Sequence, residues 1–201
     1  MKRLLAYLYL VLGLLFVSVA SYADDIRDFQ IEGISIGDSL LDHENEESII
    51  KFSRNIYDID EYYVFVNYFE NRSTYDGYQV HYKKNDKNYI IVAMMGVKVF
   101  KNNIDECYDL IKKIVSEVKE LFINATTADE TTSHDGDPSG KSKLTFTRFY
   151  INKDSKYEDL QIACTDWADG YKFSDGTNAV DKLTVTITTE EYFEFLERAY
   201  K

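Results

Sequence analysis

The sequence predicts an α+β protein: an antiparallel sheet of two β-β-β-α halves with covering helices, preceded by a short strand and helix. Three observations carry this reading. Residues that favour extended backbone are abundant, 15% of the chain being aromatic, while proline occurs once, as Pro138. Turn signals as short as Tyr75-Asp76-Gly77 and Asn85-Asp86 separate apolar runs, and such short connections join only antiparallel neighbours. Helix-period stretches come after groups of strands instead of alternating with them, which excludes a parallel βαβ sheet.

In chain order, residues 26–32 read as a short strand and 33–38 as a turn using Gly33 and Gly37. Residues 39–53 then form a helix started by Asp38 or Ser39. Strands follow at 62–70, 78–84 and 87–100. The last contains YIIVAMM, apolar on both faces and therefore central, with Gly96 marking a bend or bulge. Between 104 and 122, apolar residues including Cys107, Ile111, Ile114 and Val118 recur at three-and-four spacing. This predicts a helix with one buried face, begun by the capping pair Asn103 and Glu106. The polar run ATTADETTSHDGDPSGKSK (125–143) reads as an exposed loop. Strands at 144–152, 157–165 and 180–188 lead to a last helix at 190–200, with Thr188 and Glu191 in capping-box spacing.

The first residues bear on compartment. Lys2 and Arg3 precede an apolar run ending at Ala20, and Ser21-Tyr22-Ala23 sets small residues three and one before a cut, the pattern of a secretory signal peptide. Residues 1–23 are thus expected to be removed, leaving 24–201 as a single periplasmic or secreted domain without stable membrane insertion. That removal leaves 21 Lys+Arg against 35 Asp+Glu, a formal charge of −14. An acidic surface repels phosphate backbones and anionic lipid headgroups, so no nucleic acid is expected among the partners. An unknown protein or small-molecule ligand is left, with no cofactor.

Two cysteines in an exported chain suggest a bridge. Cys107 lies on the apolar stripe of its helix, and Cys164 shares one strand face with Leu160 and Ile162, so both thiols are expected in one core as a Cys107–Cys164 disulfide. Trp167, just after that strand, is expected to cap the same core. The tyrosines and phenylalanines of 62–82 are dense enough to place rings on both faces of their hairpin, where they shield the sheet or offer a binding surface.

Residues 31–42, IEGISIGDSLLD, hold both G-x-S-x-G (Gly33, Ser35, Gly37) and GDSL (Gly37 to Leu40). The second resembles the GDSL-type serine hydrolases, a resemblance that implies a serine esterase with Ser39 as nucleophile. A serine hydroxyl needs a base, normally an oriented histidine. That family supplies it from a D-x-x-H motif near its C-terminus, whereas the histidines here are His43, His81 and His134, none with an aspartate at that spacing. The expectation is therefore a non-catalytic protein, with the Ser39 esterase as alternative. In 134–142, HDGDPSGKS is one residue short of a phosphate loop and is followed by a strand signal. Its Asp135, Asp137, Ser139 and Gly140 match positions 1, 3, 5 and 6 of a calcium loop, but position 12 is Phe146, leaving a speculative oxygen site. His43 and His81 read as isolated surface histidines.

Taken together, DFQIEGISIGDSLLD after a signal peptide, Cys107, the loop ending SGKS and the strand ending ACTDW resemble a family of small exported proteins of marine bacteria. The likeness spans most of the mature chain and implies export, and the family has no assigned function from which a catalytic role could be carried over. Residues 31–42 alone are also similar in pattern to the start of BamE-like envelope domains, which implies a binding or envelope-associated role.

Overall fold

Among the described residues, eight strands form one open antiparallel sheet in the order β1-β2-β3-β4-β8-β7-β6-β5, and three α-helices pack on it. The computed structural model describes residues 25–68, 74–101, 103–151 and 159–200. The expected signal peptide and the outer ends of the strands expected at 62–70, 144–152 and 157–165 lie outside them. The strands are β1 (Ser53–Arg54), β2 (Tyr62–Tyr68), β3 (Gly77–Lys83), β4 (Ile91–Phe100), β5 (Thr126–Ser133), β6 (Lys143–Tyr150), β7 (Asp159–Asp166) and β8 (Asp181–Thr188). The helices are α1 (Glu46–Phe52), α2 (Ile104–Leu121) and α3 (Glu190–Ala199). The expected α+β class and antiparallel sheet are therefore correct, and each half holds one strand more than expected. Two four-stranded meanders meet where β4 pairs with β8, with Met94 opposite Ile187.

Strand alternation sorts the core onto two faces. Val80, Met94, Ile187, Leu160 and Phe149 face one side, where α2 covers them with Cys107, Ile111, Ile114 and Val118. The periodicity of 104–122 thus marks a helix that buries one stripe and leaves Lys112, Lys113 and Glu117 to solvent. Cys107 and Cys164 join beneath this helix as a disulfide with Cα atoms 6.0 Å apart, both fully buried. Asn103 makes no side-chain cap to the helix backbone and instead donates to Glu106 Oε1 at 2.6 Å. On the opposite face, Tyr62, Val64, Val92 and Ala93 pack against Tyr192 and Phe195 of α3, with Tyr57 alongside.

Four element assignments need correction. Residues 26–32 form a 3-10 turn (Ile26–Asp28) and a tight reversal in which Ile31 pairs with Ile34, because Glu32 and Gly33 both take positive φ (53° and 84°). The helix expected at 39–53 splits at Asn45, whose Oδ1 accepts from Ser48 N at 2.9 Å and restarts it as α1. The run 125–143 is not a loop. Its first part is β5, exposed along its whole length, which is why hydrophobic patterning could not reveal it. Finally, α3 is capped by Thr189, which accepts from Tyr192 N, and not by Thr188, which ends β8.

Gly96 lies in regular pairing between Tyr78 and Val185. The bulge comes earlier in the strand, where His81 pairs with Ala93 but Tyr82 pairs with Ile91. The skipped Val92 turns toward α3, and its carbonyl accepts from Thr189 N at 3.2 Å, so the irregularity helps start that helix. Gly96 is needed for close approach: a Cβ there would lie 2.9 Å from Ile31 Cγ2 and from Tyr75 Cδ1. Gly96→Ala is therefore expected to destabilise by about 1–3 kcal/mol through overpacking, read as a lower midpoint in urea denaturation.

Candidate binding groove

A groove of about 830 Å³ lies between α2 and the outer strands β5 and β6. It arises because α2 packs over β7, β8 and β4 while the sheet continues beyond it to β6 and β5. One wall comes from α2, where Tyr108, Ile111 and Val115 give apolar surface and the exposed Lys112 and Lys119 stand at the rim. The floor comes from residues of β5 and β6 that register places on the α2 side. Thr147 donates to Asp129 Oδ1 at 2.5 Å, and Thr131 and Thr145 share a hydroxyl–hydroxyl hydrogen bond of 3.0 Å. Burial raises the pKa of Tyr108. An apolar wall, a hydroxyl-lined floor, amines on one rim and a carboxylate on the other suit reversible capture of an amphipathic ligand.

No family model, no curated protein and no solved structure matches the chain.

The residues singled out by sequence lie elsewhere. Ser39 Oγ donates to the Asn88 carbonyl at 2.6 Å and accepts from Leu41 N at 3.2 Å, so it caps a 3-10 turn at Leu40–Asp42. Asp38 accepts from Ser35 N at 2.8 Å and meets His43 Nε2 at 3.4 Å. An Asp-His pair thus stands beside Ser39, but the serine's hydrogen bonds go to backbone groups and not to the imidazole. Ser35 is buried, with its hydroxyl toward Phe29 O. GDSL here is a joint, tying the amino-terminal segment to the start of β4 through Gly37 N to Ile91 O and Ile91 N to Asp38 O.

Asp135, Asp137 and Ser139 fall in the β5–β6 turn. Asp137 points inward, and its carboxylate accepts from the backbone N–H and hydroxyl of both Ser139 and Ser142 at 2.7–2.9 Å. These bonds, those of Ser142 foremost, hold its pKa well below the usual carboxylate range. The carboxylate organises the turn, in which Ser142 Oγ also accepts from Ala168 N at 2.9 Å. No cluster of three or more metal-ligating side chains occurs among the described residues. Trp167 caps the same end, buried against His134 and stacked on Tyr171 at 5.0 Å between ring centres.

His81 is the clearest error of the sequence reading. It is 6% exposed, beneath α3 on the face opposite the groove. Gln79 Nε2 lies 2.8 Å from its Nε2, and Tyr192 and Tyr57 hydroxyls lie 2.5 and 3.2 Å from its Nδ1. The two hydroxyls also bond to each other. Burial holds the pKa of His81 down at about 3, so the imidazole stays neutral, and it raises that of Tyr192. A polar residue facing α3 was legible only once Glu190–Ala199 was known to cover that part of the sheet.

Proposed function

We propose that this chain is an exported, non-catalytic binding protein of the periplasm or extracellular space that holds its ligand in the groove between α2 and the β5–β6 pair. The observation that carries this is the groove itself. Its volume falls within the common range of ligand sites, and it joins apolar surface to a few fixed polar groups. Tyr108, Ile111 and Val115 supply apolar contact and Thr131, Thr145 and Thr147 supply hydroxyls, the make-up of a surface that holds a ligand. The bridge between Cys107 and Cys164 supports an oxidising compartment, and no described helix is long and apolar enough to cross a membrane.

The test is a ligand screen by heteronuclear NMR with amphipathic small molecules and short peptides. Binders are expected to shift the amides of Val115, Thr145 and Thr147 first. Ser116→Trp, an exposed lining position on α2, is expected to fill the groove and weaken such binders at least tenfold while leaving thermal unfolding unchanged. Shifts confined to another surface would overturn the groove assignment. Labelling of Ser39 by a fluorophosphonate probe, abolished in Ser39→Ala, would overturn the non-catalytic reading in favour of a GDSL-type esterase.

A further inference from the structure

We propose that the occupant of this site is an extended, basic segment of another protein, which adds to the sheet beside β5 and leans alternate side chains over the groove. The proposal rests on the reading of the groove as a ligand site and names its partner. β5 ends the sheet, and among the described residues nothing pairs with its outer edge. At the other end the sheet finishes in the two-residue β1, preceded at once by α1. β5 presents eight residues in unbroken register with β6, with no bulge, proline or lysine, so the protection its edge carries is the acidic pair Asp129 and Glu130.

Register says which backbone groups are free. His134 N donates to Ser142 O at 2.9 Å, and these two residues continue the pairing of Ser133 with Lys143. Antiparallel strands alternate between residues bonded to the neighbour and residues turned away from it. The even-numbered residues 126 to 132 therefore bond to β6, while Thr127, Asp129, Thr131 and Ser133 direct N–H and C=O groups outward. The free row and the groove-side row are the same residues, because Asp129 and Thr131 also line the groove.

Charge identifies the partner. In the middle of β5, Asp129 projects to the groove side and Glu130 to the opposite face. A second copy joined edge to edge about a twofold axis at mid-strand would set Asp129 against Asp129 or Glu130 against Glu130, an unfavourable like-charge pair. The formal charge of the chain, −12, acts in the same direction. A foreign strand with Lys or Arg at both faces satisfies the two carboxylates and the row of free backbone groups together, in the manner of strand addition.

The experiment uses the full chain and the capped octapeptide Lys-Lys-Val-Thr-Lys-Lys-Val-Thr, which sets Lys on both faces of an extended strand, with a control in which every Lys is Glu. Binding is followed by calorimetry at two salt concentrations, and amide exchange by NMR. The expected result is binding of the Lys peptide alone, with slowed exchange at Thr127, Asp129 and Thr131. Thr131→Pro removes an outward donor without breaking a backbone bond to β6, losing there only the hydroxyl contact with Thr145, and is expected to weaken binding at least tenfold. The double variant Asp129→Asn, Glu130→Gln keeps the edge intact and is expected to weaken binding several-fold with a smaller salt dependence. Groove shifts at Val115 without edge protection would sink strand addition but leave the groove reading standing. No binding and no groove shift would sink both readings for peptide ligands. Dimerisation of the free chain that Thr131→Pro abolishes would replace the foreign partner with a second copy.

Discussion

Replacing Cys107 and Cys164 together with alanine is expected to lower folding stability by about 4 kcal/mol. The bridge joins residues 57 apart in sequence, and in the chain-entropy description a closed loop of that size removes about 4 kcal/mol of freedom from the unfolded chain. The lost sulfurs add a packing term, since both residues are fully buried between α2 and β7. For a chain of this length, 4 kcal/mol corresponds to a fall in Tm of roughly 8–16 °C. Urea denaturation of the oxidised protein, the reduced protein and the double variant measures it. A loss under about 1 kcal/mol in all comparisons would contradict the account. The closed loop contains most of α2 and all of β5 and β6, so both walls of the groove belong to one covalent ring. Reduction is therefore expected to loosen the groove before the β1–β4 half of the sheet, seen as faster amide exchange in β5 and β6.

The second large effect is acid sensitivity set by His81. In the folded protein this histidine stays neutral down to about pH 3, while in the unfolded chain it protonates near its ordinary value of 6.5. Above pH 6.5 neither state binds the proton, and the contribution of the site to stability is complete. As pH falls from 6.5 toward 3, the unfolded chain alone takes up the proton, so stability is lost by up to about 1.4 kcal/mol per pH unit. Carboxylates add their own slope, and a variant isolates the histidine. His81→Phe is expected to be less stable at pH 7, because Tyr192 and Gln79 lose a partner. It is also expected to lose less further stability between pH 7 and pH 4 than the parent chain does. Equal slopes for the two proteins would show that His81 is not the titrating group. Gln79, Tyr57 and Tyr192 fix the ring, with Phe195 packed beside the tyrosines, and among the described residues no acidic side chain bonds to it. Burial therefore acts on the ring unopposed by any charge among the described residues.

Much of this architecture was legible in the sequence where burial imposes a pattern. The stripe through Cys107, Ile111, Ile114 and Val118 specified α2, and the unbroken run IIVAMM specified a strand covered on both faces. The alternation of Leu160, Ile162 and Cys164 placed the second cysteine under that helix. Elements whose form depends on something other than burial left no such trace. β5 carries TTADETTS with every residue exposed, and only pairing with β6 makes it a strand. The reversal at Glu32-Gly33 rests on backbone angles that Glu32 rarely adopts alone. The groove was hidden for the same reason: its floor is threonine and aspartate, and its shape depends on how far the sheet runs past α2. GDSL misleads in the other direction, since a short motif fixes local chemistry but not the imidazole that would make it reactive.

The pairing of β4 with β8 has a consequence for how the molecule is made. Met94 cannot meet Ile187 until β8, the latest strand in chain order, has been synthesised. Until then β1–β4 and β5–β7 are separate partial sheets, each with an interior strand, β4 or β7, standing bare at its edge. Contacts so distant along the chain close slowly, because a long loop must be ordered before any gain is felt. The interval before closure is when these two apolar strands can join wrong neighbours. The middle of the finished sheet is therefore expected to be the last place to form.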